Sequence, residues 1–242
     1  MKYDAIIFDI DGVLVDVTQS YEATILKTVN YWLSQQSSNK KATSEDIRSI
    51  RKVYGFNNDW DLSYRLFDIL SNNNDFNVIK PLTKSESRGI LYQQLKKTFQ
   101  SFYLGTSTVP NKLGLINNEF LLINTNILKL LAMKYKVAVA TGRPRFEAIY
   151  ALERLKITPQ IIPVRNIIAL EDTPRQKPFP DPLLAAQKRI RSKSPIYVGD
   201  TINDILAAKA AKMPSIYVGQ ENLGDYQINT VNDIVRILPV KL

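Results

Sequence analysis

The sequence predicts an α/β chain, a parallel sheet covered by helices and interrupted early by a block that is helical throughout. Three observations carry this. First, five short apolar runs are continuous instead of alternating, as in strands buried on both faces: Tyr3–Phe8, Tyr135–Ala140, Gln160–Val164, Pro195–Gly199 and Ser215–Val218. Second, helical patterns separate the later runs, over Arg145–Lys156, Asp181–Arg191, Asn203–Lys212 and Val231–Leu238. Strand, helix, strand in this rhythm implies right-handed crossovers and a doubly wound sheet. Third, residues 17–110 show apolar spacing of the helical kind only. Thr18–Ser34 reads as a helix with Thr18 or Ser20 as N-cap, Ser44–Val53 as one opened by Ser44, and Trp60–Ser71 and Glu86–Phe102 as two more. The expected organisation is a core of residues 1–16 and 111–242 with a helical insert over 17–110.

Composition narrows the chemistry. With 242 residues and 45% apolar side chains the chain is long enough for one large core or a core plus a smaller domain. No apolar run approaches the ~18 residues that span a bilayer. The opening Met1–Phe8 is too short and too soon acidic for a signal peptide, so a cytoplasmic protein without a membrane partner is expected. The chain has no Cys and no His. Thiol nucleophiles, Ser-His-Asp triads, disulfides and thiolate or imidazole zinc sites are therefore excluded. Catalysis would have to run on carboxylates, hydroxyls, Lys, Arg and a hard cation, and oxygen-only ligands favour Mg²⁺. The net charge of +9 comes from scattered Lys and Arg with no long basic run. It fits a general attraction for small anions better than a nucleic-acid partner.

The ends of the apolar runs hold the distinctive residues. Ligands of open α/β sheets bind beyond the carboxyl ends of the strands. The first run ends in Asp9-Ile10-Asp11-Gly12, two carboxylates that repel each other unless a cation sits between them. The second ends in Thr141-Gly142-Arg143 and the fourth in Asp200-Thr201-Ile202-Asn203-Asp204, while Lys177-Pro178 precedes the Asp181 helix. Each has a plain structural reading: Asp-Gly and Thr-Gly as turns, Lys-Pro as a solvated loop, Gly-Asp-Thr as a helix cap. Occurring together, in order, and each at a sheet edge, they read as a site.

This set resembles the haloacid dehalogenase (HAD) superfamily and matches its four signature motifs, with Asp-Ile-Asp-Gly-Val-Leu and Gly-Asp-Thr-Ile-Asn-Asp as the specific blocks. An insert between the first and second motifs is similar to the C1-type helical cap of subfamily IA, which includes phosphoglycolate phosphatase and β-phosphoglucomutase. The resemblance implies a Rossmann-like HAD core and a Mg²⁺-dependent phosphatase acting on a small phosphorylated metabolite. It implies that Asp9 attacks phosphorus and that Asp11 serves as acid and then base. Thr141 and the amides around Ile10, Asp11 and Gly142 would hold phosphoryl oxygens, and Lys177 would offset their charge. Asp9, Asp11 (through its carbonyl), Asp200 and, more remotely, Asp204 would form the metal site, with Asp204 alternatively orienting Lys177.

Arg143 departs from the small or amide residue common in that subfamily. It would either grip a second anionic group on the substrate or pair with a surface carboxylate. In capped relatives the cap contributes a specificity loop, and the corresponding stretch 51–61 carries Lys52, Asn57, Asn58 and Trp60. These four are the expected substrate-reading residues, against the plainer reading of a helix–helix turn anchored by Trp60. Stretch 51–61, together with Leu14–Tyr21, also resembles a small branch of the subfamily associated with histidine biosynthesis. A sugar-phosphate mutase would use the same residues. A phosphonate hydrolase would need a Schiff-base lysine, for which Lys27 or Lys52 could serve, and a silent binding protein would have lost Asp9, Asp11 or Lys177. Asp11 argues against a dehalogenase. A monomer or homodimer is expected.

Overall fold

A computed structural model describes residues 2–36, 39–51, 58–72, 74, 80, 82–106 and 111–240. They divide into two compact units, Met1–Asp16 with Phe120–Leu242, and Val17–Glu119. Residues 111–119, expected in the core, thus belong to the helical unit. The Glu119 carboxylate, 2% exposed, accepts hydrogen bonds there from Ser20 Oγ and Tyr103 Oη, each at 2.9 Å.

The first unit is built on a six-stranded parallel sheet. Its strands are β1 (Ala5–Phe8), β4 (Lys136–Ala140), β5 (Ile167–Ile168), β6 (Pro195–Gly199), β7 (Ser215–Val218) and β8 (Tyr226–Ile228), in the order β5-β4-β1-β6-β7-β8. A separate antiparallel pair joins β2 (Val15–Asp16) to β3 (Phe120–Leu121), where the chain leaves and re-enters this unit. Strand β1 is central because it is apolar on both faces. Ile6, Ile7 and Phe8 are fully buried, each worth about 1.5–3 kcal/mol in removed apolar surface. Alternation places Ala5 and Ile7 on the face that also carries Ala138, Ala140 and Tyr197. Small side chains there let helices α8 (Asp181–Arg189) and α9 (Ile202–Ala210) approach, through Leu183, Ala186, Ala207 and Ala208. Helices α6 (Thr125–Lys134) and α7 (Arg145–Arg154) complete the crossovers.

Two sequence expectations fail in this unit: the helix read over Val231–Leu238 is a 3₁₀ helix, Val231–Arg236, and one expected strand is absent for backbone reasons. The run Gln160–Val164 is not a strand. It follows Pro159 and contains Pro163, neither of which can donate to a ladder, and the Ile161 and Ile162 amides turn back onto the Ile157 carbonyl. The edge strand is instead β5, pairing Ile167 and Ile168 with Val139 and Ala140. Helix α6 was not foreseen, although Asn124 caps it by accepting from the Asn126 amide at 2.8 Å.

The helical unit contains α1 (Ala23–Gln35), α2 (Ser44–Arg51), α3 (Asp59–Asn72), α4 (Lys84–Arg88) and α5 (Ile90–Leu104). Its core is the apolar faces of α1 (Ile25, Val29, Leu33), α3 (Leu62, Leu66, Phe67) and α5 (Leu95, Phe99, Tyr103), with Tyr21 stacked on Tyr103 at 4.4 Å. Neither Thr18 nor Ser20 caps α1. Thr18–Glu22 forms a single wide turn, and Ser20 Oγ donates to the Val17 carbonyl. Helix α2 is capped by Thr43, one residue earlier than expected. Thr43 Oγ1 accepts from the Asp46 amide, and the Asp46 carboxylate accepts from the Thr43 amide at 2.8 Å. The expected helix over Glu86–Phe102 is broken at Gly89, whose ψ of 150° is extended. Among the described residues no helix is long and apolar enough to cross a membrane.

Candidate active site

The sheet order reverses direction at β1, with β4 on one side and β6 on the other, so the carboxyl ends of these three strands define the switch point. Asp9 follows β1 directly, and its amide still pairs with the Val198 carbonyl at 2.9 Å. The chain then turns sharply. The Ile10 carbonyl accepts from the amides of Val13, Leu14 and Val15, and Gly12 takes φ +70°. A Cβ on Gly12 would lie 2.0 Å from Asp200 Oδ2, so conformation and space both require glycine here. The Asp-x-Asp-Gly spacing thus brings the ends of β1 and β6 together.

Lys177 sits among the carboxylates, on the segment entering α8 and at a cis Lys177–Pro178 peptide. Its Nζ lies 2.9 Å from Asp9 Oδ1 and donates to Asp204 Oδ1 at 2.6 Å and to Tyr197 Oη at 3.2 Å. Asp204 is completely buried. Tyr197 donates to its Oδ1 at 2.7 Å, and the Thr201 hydroxyl and amide donate to its Oδ2 at 2.5 and 3.1 Å. Thr201 in turn accepts from the Asp204 amide, which closes the capping box of α9. Burial works against both charges. It is outweighed by Asp204 and Asp9 at Lys177, which is raised, and by Lys177 and the surrounding donors at Asp204, which is lowered. Asp9 is different. Burial, with Asp204 and Asp11 adding to it and Lys177 opposing, raises it to about 7.

Asp200 carries the clearest sign of a missing counter-charge. Its Oδ1 is buried and makes no hydrogen bond among the described residues. Burial, then Asp204 and Asp9, push its carboxyl well above the ordinary range. One carboxylate oxygen from each of Asp9, Asp200 and Asp204 lies within 4.8 Å of the others. An all-oxygen cluster with an orphaned carboxylate oxygen fits a hard divalent cation such as Mg²⁺. Asp204 already accepts four hydrogen bonds, so Asp9 and Asp200 are the better-placed direct ligands.

The end of β4 supplies Thr141, Gly142 and Arg143. Thr141 is 1% exposed, and its Oγ1 accepts from the Arg143 amide at 3.2 Å, leaving its own hydrogen for an acceptor in the site. Nothing lies within 4 Å of a Cβ placed on Gly142. Arg143 is buried, its side chain 1% exposed, so it is no surface ion pair. Its Nε and one terminal nitrogen both donate to Asp11 Oδ1, at 2.8 and 2.5 Å.

Asp9, Asp11, Lys177, Asp200 and Asp204 are therefore one cluster, bordered by Thr141 and Arg143. The remaining expected residues belong to the helical unit. Asn58 accepts from the Trp60 amide at 2.9 Å as the N-cap of α3. The Trp60 ring is covered on one face by Lys96 Nζ, 3.5 Å from its centre. Lys52 and Asn57 lie outside the described residues. Thr201, whose plain reading is a helix cap, is that cap and also holds Asp204, as the spacing Thr201-x-x-Asp204 allows. Tyr197 is not among the expected residues, because it is concealed inside an apolar strand.

The family model of haloacid dehalogenase-like hydrolases matches residues 6–218. The chain belongs to the haloacid dehalogenase-like hydrolase family. The imidazoleglycerol-phosphate dehydratase of Phytophthora nicotianae is 33% identical over 211 residues, 86% of this chain but only 41% of that protein. The chain thus spans less than half of that relative. Phosphoglycolate phosphatase of Escherichia coli K12 is 46% identical over 52 residues, 21% of each chain. The solved structure of phosphatase Tt82 from Thermococcus thioreducens matches with a TM-score of 0.69 at 21% identity, covering 96% of this chain and 98% of that one. At that identity the likeness establishes the HAD fold.

Proposed function

We propose that this chain is a Mg²⁺-dependent phosphatase that hydrolyses a small organic phosphate monoester through an aspartyl-phosphate on Asp9. The observation that carries the reading is the switch-point cluster. A buried carboxylate, Asp9, faces a lysine ammonium at 2.9 Å, beside a second carboxylate, Asp200, whose buried oxygen has no protein donor among the described residues. Such a group is costly unless a cation and an anionic substrate complete it.

In the first half-reaction an Asp9 oxygen bonds to phosphorus. The ester P–O bond breaks, and its electron pair goes to the leaving oxygen, which takes a proton from Asp11. In the second, Asp11 accepts a proton from water as the water oxygen bonds to phosphorus, and Asp9 departs as a carboxylate. Lys177 holds positive charge against the phosphoryl oxygens, fixed by Asp204, which Tyr197 and Thr201 orient. The Thr141 hydroxyl donates to a phosphoryl oxygen. Asp9 and Asp200, with the Asp11 carbonyl, hold Mg²⁺, which supplies charge stabilisation as a Lewis acid. The helical unit, Val17–Glu119, has the role of the C1-type cap.

The test is phosphate release by the chain and its Asp9→Asn variant, with Mg²⁺ and with EDTA. The ester panel takes phosphoglycolate and imidazoleglycerol phosphate from the relatives' names, plus common sugar phosphates. Metal-dependent release abolished in Asp9→Asn supports the reading, and release from none of the esters refutes it.

A further inference from the structure

We infer that Arg143 is a positioning residue that acts through Asp11, holding its carboxylate in one orientation and assigning the mobile proton to Oδ2, instead of gripping the substrate. The inference rests on the proposed roles of Asp9 and Asp11 and deepens them. Two guanidinium contacts, at 2.8 Å from Nε and 2.5 Å from a terminal nitrogen, converge on a single oxygen, Oδ1. An oxygen that already accepts two charge-assisted hydrogen bonds is a poor place for a proton, which leaves Oδ2 as the oxygen through which a proton would pass. The Asp11 side chain is 34% exposed while that of Arg143 is 1% exposed. The arginine is therefore the fixed wall of the site and Asp11 the face it presents.

The local backbone explains why Arg143 can be held so firmly. It stands three residues beyond Ala140, the last residue of β4; its amide donates to Thr141 Oγ1, and its carbonyl accepts from the Leu170 amide at 2.9 Å. Asp11 stands in the turn after β1, next to Gly12 at φ +70°, where a free side chain would sample several rotamers. Ordering one rotamer in advance removes an entropic cost from each proton transfer. In the first half-reaction the Oδ2–H proton passes to the leaving oxygen. In the second Oδ2 takes a proton back from the attacking water, so one fixed oxygen serves both.

The experiment compares an alkyl ester, whose leaving oxygen needs a proton, with 4-nitrophenyl phosphate, whose leaving group does not. Arg143→Met should lower kcat on the alkyl ester by roughly 10²-fold, the usual scale of general acid catalysis. On the aryl ester kcat/KM, which reports the first half-reaction alone, should fall several-fold at most, while its kcat falls as far as the shared second half-reaction limits turnover; KM for the alkyl ester should change less than about threefold. Arg143→Lys, which keeps the charge, should recover part of the alkyl-ester kcat. In an Asp11→Asn background, Arg143→Met should cost less than about threefold, because its effect passes through the missing acid. A raised KM with kcat preserved would overturn the inference in favour of a substrate contact. Equal losses on both esters that persist beside Asp11→Asn would overturn it in favour of a purely structural role. If the unmodified chain releases phosphate from neither ester, the phosphatase reading fails. The positioning is then judged from crystal structures of the unmodified and Arg143→Met chains, where an Asp11 side chain unmoved by loss of the guanidinium refutes it.

Discussion

Replacing Lys177 by methionine would test how the site balances its charges. The substitution keeps the volume of the side chain but removes the ammonium that lies 2.9 Å from Asp9 and 2.6 Å from Asp204. These partners are 8% and 0% exposed, so water cannot replace it. Breaking a buried pair by deleting one member costs about 3–5 kcal/mol. Asp204 retains Tyr197 and Thr201, so most of the loss falls on Asp9. The sign with pH follows from Asp9. Its folded value, raised to about 7 by burial and then by Asp204 and Asp11, lies above the unfolded one. Its favourable contribution is therefore complete only below the unfolded value, and stability is lost as pH rises through about 7. Without Lys177 the folded value moves higher still, and each further unit deepens the loss at high pH by about 1.4 kcal/mol. Urea denaturation in EDTA should show Lys177→Met less stable by about 3–5 kcal/mol at pH 9, and by about 1–3 kcal/mol less than that at pH 6. A deficit below about 1 kcal/mol, or one equal at both pH values, would refute the reasoning.

Asp200→Asn should stabilise the metal-free protein by about 1–3 kcal/mol near pH 8, because it removes a buried carboxylate with an unsatisfied oxygen. The same variant should abolish any rise in melting temperature on adding Mg²⁺, and calorimetry with and without the ion checks both. At the far end of β1, Asp4 accepts from Ser192 Oγ and from the amides of Lys193 and Ser194, both at 3.0 Å. Burial opposes its ionisation, but these donors prevail and its pKa is lowered. Its contribution is therefore present above the ordinary carboxylate value and lost as pH falls through the folded one. Asp4→Asn should destabilise the chain at pH 7, and the difference should vanish near pH 2–3 in denaturation titrations.

The parts of the fold that were legible are those in which apolar burial sets both structure and sequence. Strands β6 and β7 have the bounds their apolar runs indicate, and the carboxylates beyond β1 and β6 stand at the ends those runs mark. The misread segments are those in which backbone chemistry outweighs side-chain pattern. Ile161, Ile162 and Val164 are apolar enough for a strand, but Pro159, Pro163 and a turn onto Ile157 prevent one. The two-residue strand β5 and the half-exposed β8 carry too little periodicity to register. In the site, residue types announced the carboxylates and Lys177, while their partnerships stayed hidden. Nothing local relates Arg143 to Asp11, 132 positions away, and Tyr197 resembles any other buried strand residue. Asn58 and Trp60 drew attention as polar and aromatic loop residues, a composition that helix capping produces equally well.

The central strand has a consequence for how the chain is made. Ala5 pairs with Lys136 on one side and Pro195 on the other, so β1 meets its neighbours only after much later segments of the chain have been made. At about 5–20 residues per second, β1 waits on the order of ten seconds for β4 and longer for β6. The helical unit, whose partners are all local, emerges in that interval and can fold before the sheet exists. Until then Ile6, Ile7 and Phe8 form an unpaired apolar edge on the nascent chain, the kind of segment on which chaperones act. Asp9 and Asp200 come together only once the segment carrying Asp200 has been made, so the carboxylate cluster is among the last features of the sheet to assemble.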